Sequence, residues 1–256
     1  MKIQLVRNAT LVVEYAGKKM LVDPMFSKKG ELARGPMPAK DWNWRKNPNH
    51  ELPLSIPEII KDIDFVFLTH LHFDHWDKAA SDALPKDIKV FVQDVNDLKV
   101  IRKEGFTNLE IISENSNFEG IQLIRTKAQH GKGFILNLAG QVTGMVLRHP
   151  SEKTLYLAGD TVWYQEVEKT IKKYSPEVIV VNGGDNRFII GDQLVMNKED
   201  IYKTHQAAPS SDIVVVHMEG VYHGMLTRKE LKQFIDEKSI SDQILIPEDG
   251  ETIHLK

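Results

Sequence analysis

Short apolar runs recur along the chain, and their spacing predicts most of its elements. Three open it, Ile3–Val6, Thr10–Glu14 and Lys19–Val22, with Ala16-Gly17-Lys18 as a turn between the last two. They predict a β-meander that ends at Asp23-Pro24. Residues 25–56 then lose any sustained period; they are rich in Pro, Gly, Lys and Asn and carry Trp42 and Trp44. A stretch this long without periodicity is usually functional, and a lid over a site is the expectation. From Pro57 onward strands and helices alternate. Strands are expected at Ile63–Leu68, Ile88–Val92, Leu109–Ile112, Ile121–Lys127, Phe134–Leu138, Val142–Leu147, Thr154–Leu157, Glu177–Val181 and Ile213–Val216, with Gln243–Ile246 as the last. Helices are expected at Trp76–Ala83, Val95–Glu104 capped by Asp94, Trp163–Tyr174, Lys198–Ala207 capped by Asn197, and Thr227–Glu237. Clustered strands with helices between them argue for sheets covered by helices.

Composition narrows the class. With 256 residues, 41% hydrophobic and 27% charged, the chain can bury a substantial core and reads as one domain over 1–256. A net charge of −3 gives no general footprint for nucleic acid. No run has the apolar length to span a membrane. The start, Met1 to Asn8, turns polar too soon for a signal peptide. The expected setting is the cytoplasm and the expected partner a small-molecule substrate, with a homo-oligomer compatible. The absence of cysteine excludes disulfides, thiolate ligands and a thiol nucleophile.

The chemistry concentrates just after the Ile63–Leu68 run, where His70, His72, Asp74 and His75 form the pattern H-x-H-x-D-H. Residues two apart in an extended segment point the same way, so His70 and His72 can aim at one metal. Asp74 and His75 lie where the chain turns into the next helix and can reach a second. Paired ions roughly 3.5–4 Å apart activate water and clamp an oxyanion. Two metals need more ligands, and His130, Asp160 and His217 each sit just past an expected strand with glycine nearby. Imidazole and carboxylate donors suit zinc, and also manganese or iron.

These residues occur in the order seen in the metallo-β-lactamase superfamily of metal-dependent hydrolases, which the chain resembles over most of its length. The resemblance is carried by Asn8-Ala9-Thr10, Leu21-Val22-Asp23-Pro24, the motif His70–His75, Gln129-His130-Gly131, Gly159-Asp160-Thr161 and His217. More narrowly it looks like the branch that contains ascorbate-6-phosphate lactonase. The resemblance implies an αββα sandwich of two mixed sheets with a dinuclear site at one edge. By motif, His70, His72 and His130 would bind the first metal and Asp74, His75 and His217 the second, with Asp160 bridging. Asp23 would hold a ligand imidazole by its other nitrogen. The chain departs from the pattern at Asn8, where many members have His.

Further roles are expected of other residues. Asp74 would orient the attacking water and later accept a proton. His223 would donate a proton to a leaving group or hold an oxyanion. Asn182 and Arg187, after the Glu177–Val181 run, would contact substrate, Arg187 pairing with a phosphate or carboxylate. Trp42 and Trp44 would wall the pocket. Met196 and Phe188 read as core, and His50, His149, His205 and His254 are given no role. The expected activity is hydrolysis of an ester-type bond, a lactone or phosphoester of a small metabolite. The alternatives are a phosphodiesterase acting on a nucleotide-like or lipid substrate, and a di-iron redox enzyme on the same scaffold.

Overall fold

The computed structural model describes residues 1–32, 46–188 and 191–255. Trp42 and Trp44 lie outside the described residues.

Two seven-stranded sheets are built from the two halves of the sequence, except that the chain's last strand joins the first sheet. The first half supplies β1 (Lys2–Arg7), β2 (Thr10–Tyr15), β3 (Lys18–Val22), α1 (Ile56–Ile60), β4 (Phe65–Phe67), α2 (Lys78–Ala83), β5 (Lys89–Val92), α3 (Val95–Lys103) and β6 (Leu109–Ile111). The second supplies β7 (Ser116–Phe118), β8 (Ile121–Lys127), α4 (Ile135–Ala139), β9 (Thr143–His149), β10 (Glu152–Leu157), α5 (Gln165–Tyr174), β11 (Val178–Asn182), α6 (Lys198–Ala207), β12 (Asp212–Val216), α7 (Arg228–Glu237), β13 (Ile244–Leu245) and β14 (Thr252–His254). The strand orders are β14-β1-β2-β3-β4-β5-β6 and β7-β8-β9-β10-β11-β12-β13. Each sheet runs antiparallel through its first four strands and parallel through the rest. Helices supply the crossovers that most of these parallel pairs require.

Alternation along the strands sorts side chains into three apolar layers. Phe65 and Phe67 of β4, with Val178 and Val180 of β11, face the space between the sheets and meet Leu123, Met145, Val214 and Val216 there. Val66 points the other way, toward Ile59, Ala80 and Ile101 of the helices over the first sheet. Ile179 and Val181 likewise face Val167, Ile171, Ile201 and Leu231 over the second. The architecture is therefore the αββα sandwich. No helix among the described residues is long and apolar enough to cross a membrane.

Several elements differ from the sequence expectation. Phe134–Leu138 is not a strand: Ile135–Ala139 forms α4. Ile135 and Ala139, four apart, are buried, while Phe134 and Leu138 are exposed. That is a helical face, which a five-residue apolar run cannot reveal by itself. The Gln243–Ile246 strand is not the last, because Thr252–His254 returns to pair with β1, which puts His254 in a strand. The aperiodic stretch ends at Ser55, which caps α1 in a reciprocal box with Glu58.

Candidate metal centre

Every residue of the candidate site follows the C-terminal end of a strand: Asp23 after β3, His70–His75 after β4, His130 after β8, Asp160 after β10 and His217 after β12. The parallel strands place most of these ends side by side, and β8, antiparallel to β9 as β9 is to β10, runs the same way as β10 and ends at the same edge. The motif itself bends once: the amides of His75 and Trp76 both donate to the His72 carbonyl at 2.9 Å. This turn brings His75 back beside His70, with ring centroids 4.1 Å apart, and carries Asp74 toward His217. Asp77 then caps α2, accepting from the Ala80 amide at 2.8 Å.

Two positions of the site adopt left-handed backbone, Asp23 at φ 44° and His217 at φ 59°. Such conformations cost on the order of 1–3 kcal/mol and persist where neighbours enforce them. Here the Asp23 amide donates to the Phe67 carbonyl (3.1 Å) and the His217 amide to the Asn8 carbonyl (2.8 Å). Asn8 also donates from Nδ2 to the Asp74 carbonyl at 3.1 Å, so it clips the motif to the His217 loop. Before Asp160, Gly159 lies at φ 69°, where a Cβ would sit 2.8 Å from the Thr143 carbonyl oxygen.

The donor atoms converge as three overlapping triads, His70/His72/His130, Asp74/His75/His217 and His70/His75/Asp160, each spanning no more than 4.8 Å. His70 Nε2 and His72 Nδ1 are 2.9 Å apart, and His75 Nε2 and His217 Nε2 are 3.1 Å apart. Asp160 lies between the sets: Oδ2 is 3.2 Å from His75 Nε2, 3.6 Å from His130 Nε2 and 3.9 Å from His70 Nε2. Its Oδ1 is 3.8 Å from His217 Nε2, and Asp74 Oδ2 is 3.3 Å from the same atom.

The outer nitrogens show that the rings are set up to present lone pairs inward. His130 Nδ1 donates to the Leu194 carbonyl (2.9 Å), and His75 Nδ1 to Asp23 Oδ2 (2.8 Å). The Thr69 hydroxyl donates its single proton to Asp23 Oδ2 at 2.7 Å, so at 2.9 Å from His70 Nδ1 it can only accept. Each of these rings therefore carries its proton on Nδ1 and leaves Nε2 free as a donor atom, which is the tautomer a metal requires. The residues present fit a divalent metal centre.

Electrostatics follow from burial and crowding. Burial, helped by the neighbouring imidazoles, pulls two rings down: His70 lies well below its ordinary value and His72 at about 4. At His75 burial is outweighed by Asp160, Asp23 and Asp74, which hold it well above. Burial would raise Asp74 and Asp160, but facing imidazoles hold both well below the carboxylate range.

The remaining expected site residues are distributed differently. Asn182 is buried and donates to Asp160 Oδ1 at 2.5 Å, which turns its amide to the carboxylate rather than to open space. Arg187 is held by Asp185 through Nε at 2.8 Å. His223 is buried, and burial pushes it down to about 4, so its ring is neutral. Met196 is core as expected, and Phe188 packs against the cluster of Ile135, Ala139 and Leu194 and also stacks on His223 at 6.1 Å. Thr69 directly precedes the motif and Asn186 lies between Asn182 and Arg187, yet neither carries a metal-ligating signal of its own in the sequence. A groove of about 460 Å³ opens onto His70 and His72, its other lining including Gln93, Asp94, Asp97 and Gln141.

The chain belongs to the beta-lactamase superfamily, whose domain model, described as "Beta-lactamase superfamily domain", matches residues 18–218. The fold and the His/Asp cluster make it a metal-dependent hydrolase of that class. Among its relatives, the UPF0173 protein YddR of Bacillus subtilis is 51% identical over 98% of this chain and 99% of its own length. Among solved structures, an isothiocyanate hydrolase from Delia radicum gut bacteria superposes with a TM-score of 0.94 at 39% identity, covering 100% of this chain and 99% of that one. A "possible metal-dependent hydrolase" from Veillonella parvula gives 0.95 at 33% identity, with the same coverage.

Proposed function

We propose that the chain hydrolyses a small uncharged electrophile of the isothiocyanate class at a two-metal centre. The observation that carries the two-metal reading is Asp160, one carboxylate set within 3.9 Å of imidazoles from both triads. In this reading His70, His72 and His130 hold one ion, Asp74, His75 and His217 the other, and Asp160 touches both. The ions, zinc by preference, would supply a Lewis acid and a water acidic enough to react near neutral pH.

Charge around the site supports an uncharged substrate. The groove at His70 and His72 is lined by Asp94 and Asp97 and by no lysine or arginine among the described residues. Arg187 is already paired with Asp185, with Asp192 and Glu199 also nearby. A phosphoester or carboxylate would meet repulsion on one side and a neutralised cation on the other. The likeness to the isothiocyanate hydrolase supports the particular electrophile. Water would add to the central carbon of R–N=C=S to give a monothiocarbamic acid, which releases the amine R–NH2 and carbonyl sulfide. Asp74, held as a carboxylate, would orient the attacking water and take up its proton. A lactone is the second reading, because it is also an uncharged electrophile.

The test is turnover of benzyl isothiocyanate, δ-valerolactone and bis(p-nitrophenyl) phosphate, before and after chelation and with zinc restored. Metal-dependent loss of the isothiocyanate absorbance is expected. Preference for the phosphodiester would overturn the uncharged-substrate reading, and turnover indifferent to chelation would overturn the metal centre.

A further inference from the structure

His217 is held differently from the other imidazoles. Its Nδ1 faces neither a carboxylate nor a carbonyl but the side-chain amide of Asn186, with Nδ2 3.4 Å away. The same Nδ2 is 3.2 Å from His223 Nε2. Asn186 is 2% exposed, and two buried atoms in this group lack a partner: Asn186 Oδ1 and His223 Nδ1.

The amide faces the wrong way for a ligand at His217. With Nδ2 as donor, His217 Nδ1 must accept, and the proton moves to Nε2, the atom that points at Asp74 and His75. A half-turn of the amide exchanges oxygen and nitrogen with almost no change in shape. The other side of the amide also favours that turn. A Cβ placed on Gly184 would sit 2.4 Å from Asn186 Oδ1 and 2.3 Å from the His217 carbonyl oxygen, so two acceptor oxygens crowd the same glycine with no donor between them among the described residues.

We infer that Asn186 is a positioning residue whose Oδ1 accepts from both His217 Nδ1–H and His223 Nε2–H, fixing the tautomer of each ring. His217 then keeps its Nε2 lone pair for the centre. His223 is left with Nδ1 as a bare acceptor, so it takes a proton or a hydrogen bond rather than giving one. This replaces the proton-donor role expected of it. The buried Oδ1 is then no longer unpartnered. The depressed basicity of His223 agrees with a neutral ring. The backbone of Asn186 extends the arrangement: its carbonyl accepts from the Leu194 amide at 2.8 Å, and the Leu194 carbonyl accepts from His130 at 2.9 Å.

The His217 half of this inference rests on the two-metal reading, whereas the His223 half is a property of the metal-free chain. Long-range 1H–15N spectra of histidine-labelled wild-type protein, metal-free at pH 8, are expected to show His223 protonated on Nε2. A His223 protonated on Nδ1 would overturn the inference without touching the metal reading. Zinc affinity, read by competition with a chromogenic chelator, separates donor from acceptor. Asn186→Asp keeps only acceptors and should retain affinity within about threefold. Asn186→Leu should lose about 10–100-fold, the usual effect of removing a ligand's hydrogen-bond partner. Equal losses in the two variants, with both melting cooperatively, would count against Oδ1 as the working atom. A wild-type chain that binds no zinc sinks the two-metal reading, and the His223 spectrum still decides the remainder.

Discussion

Asp23 accepts from His75 through the oxygen that also takes the Thr69 proton, at 2.8 and 2.7 Å. One buried oxygen thereby sets two rings, His75 directly and His70 through the hydroxyl. Its partner Oδ1 accepts from the Thr69 amide at 2.8 Å, so the carboxylate cannot rotate away. Asp23→Asn puts an N–H where one of these donors must point. Zinc affinity measured against a competing chelator should fall about 10–100-fold. Stability to urea should fall by about 1–3 kcal/mol for the donor left unpaired. Unchanged affinity would mean that the tautomers are set elsewhere.

Asp160 and His72 should separate in their effect on metal content. Asp160→Asn removes charge from the carboxylate shared by both triads, and elemental analysis should find both ions depleted together. His72→Ala touches one triad, and activity should vanish while the ion held by Asp74, His75 and His217 is retained in larger part. Loss of a single ion from the Asp160 variant would argue against bridging.

Removing metal should lower thermal stability in proportion to affinity. Ions present at 100 times their dissociation constant add about 2.7 kcal/mol per site. For a chain of this size, each kcal/mol moves Tm by about 2–4 °C. Dialysis against a chelator should therefore lower Tm by about 5–10 °C per site, and zinc should restore it. A melt indifferent to chelation would show that the cluster holds nothing.

Gly184 touches the ligand loop most closely, since an added Cβ would sit 2.3 Å from the His217 carbonyl oxygen. Gly184→Ala has to move that carbonyl or the Asn186 amide. A stability loss of about 1–3 kcal/mol is expected, together with weaker metal binding. Ala tolerated without change in either measurement would contradict the close approach.

Arg187 distinguishes the substrate classes. If the substrate is uncharged, Arg187→Ala should leave kcat/KM on an isothiocyanate within about threefold. An anionic substrate relying on a charge-assisted pair would lose about 1.5–3 kcal/mol of binding. Steady-state kinetics on the two substrate classes reads the difference directly.

Much of this centre is legible in the sequence because the ligands lie where strands stop. The runs before His130, Asp160 and His217 are visible as apolar segments, and the residue after such a segment is fixed by the sheet whatever its identity. The motif His70–His75 declares itself through spacing alone. What stays hidden depends on partners far away in sequence. Asn182 reads as a residue open to substrate, but Asp160, 22 positions earlier, takes its amide. Asn186 looks like turn material until His217 and His223 close over it. Phe134–Leu138 misleads for a related reason, since five apolar residues fit either period and the tertiary packing of Ile135 and Ala139 decides. The strand Thr252–His254 carries too little apolar signal, and its pairing to the opposite end of the chain makes it one.

The division of the ligands between the two half-sequences also sets an order in time. His70, His72 and His130 are all made by residue 130, whereas the triad of Asp74 and His75 waits for His217, 87 residues later. A growing chain thus offers four imidazoles and Asp74 before the carboxylate of Asp160 and the last imidazole exist. Both triads draw on both sheets, since His130 follows β8 and His217 follows β12, so neither closes until the second sheet has docked on the first.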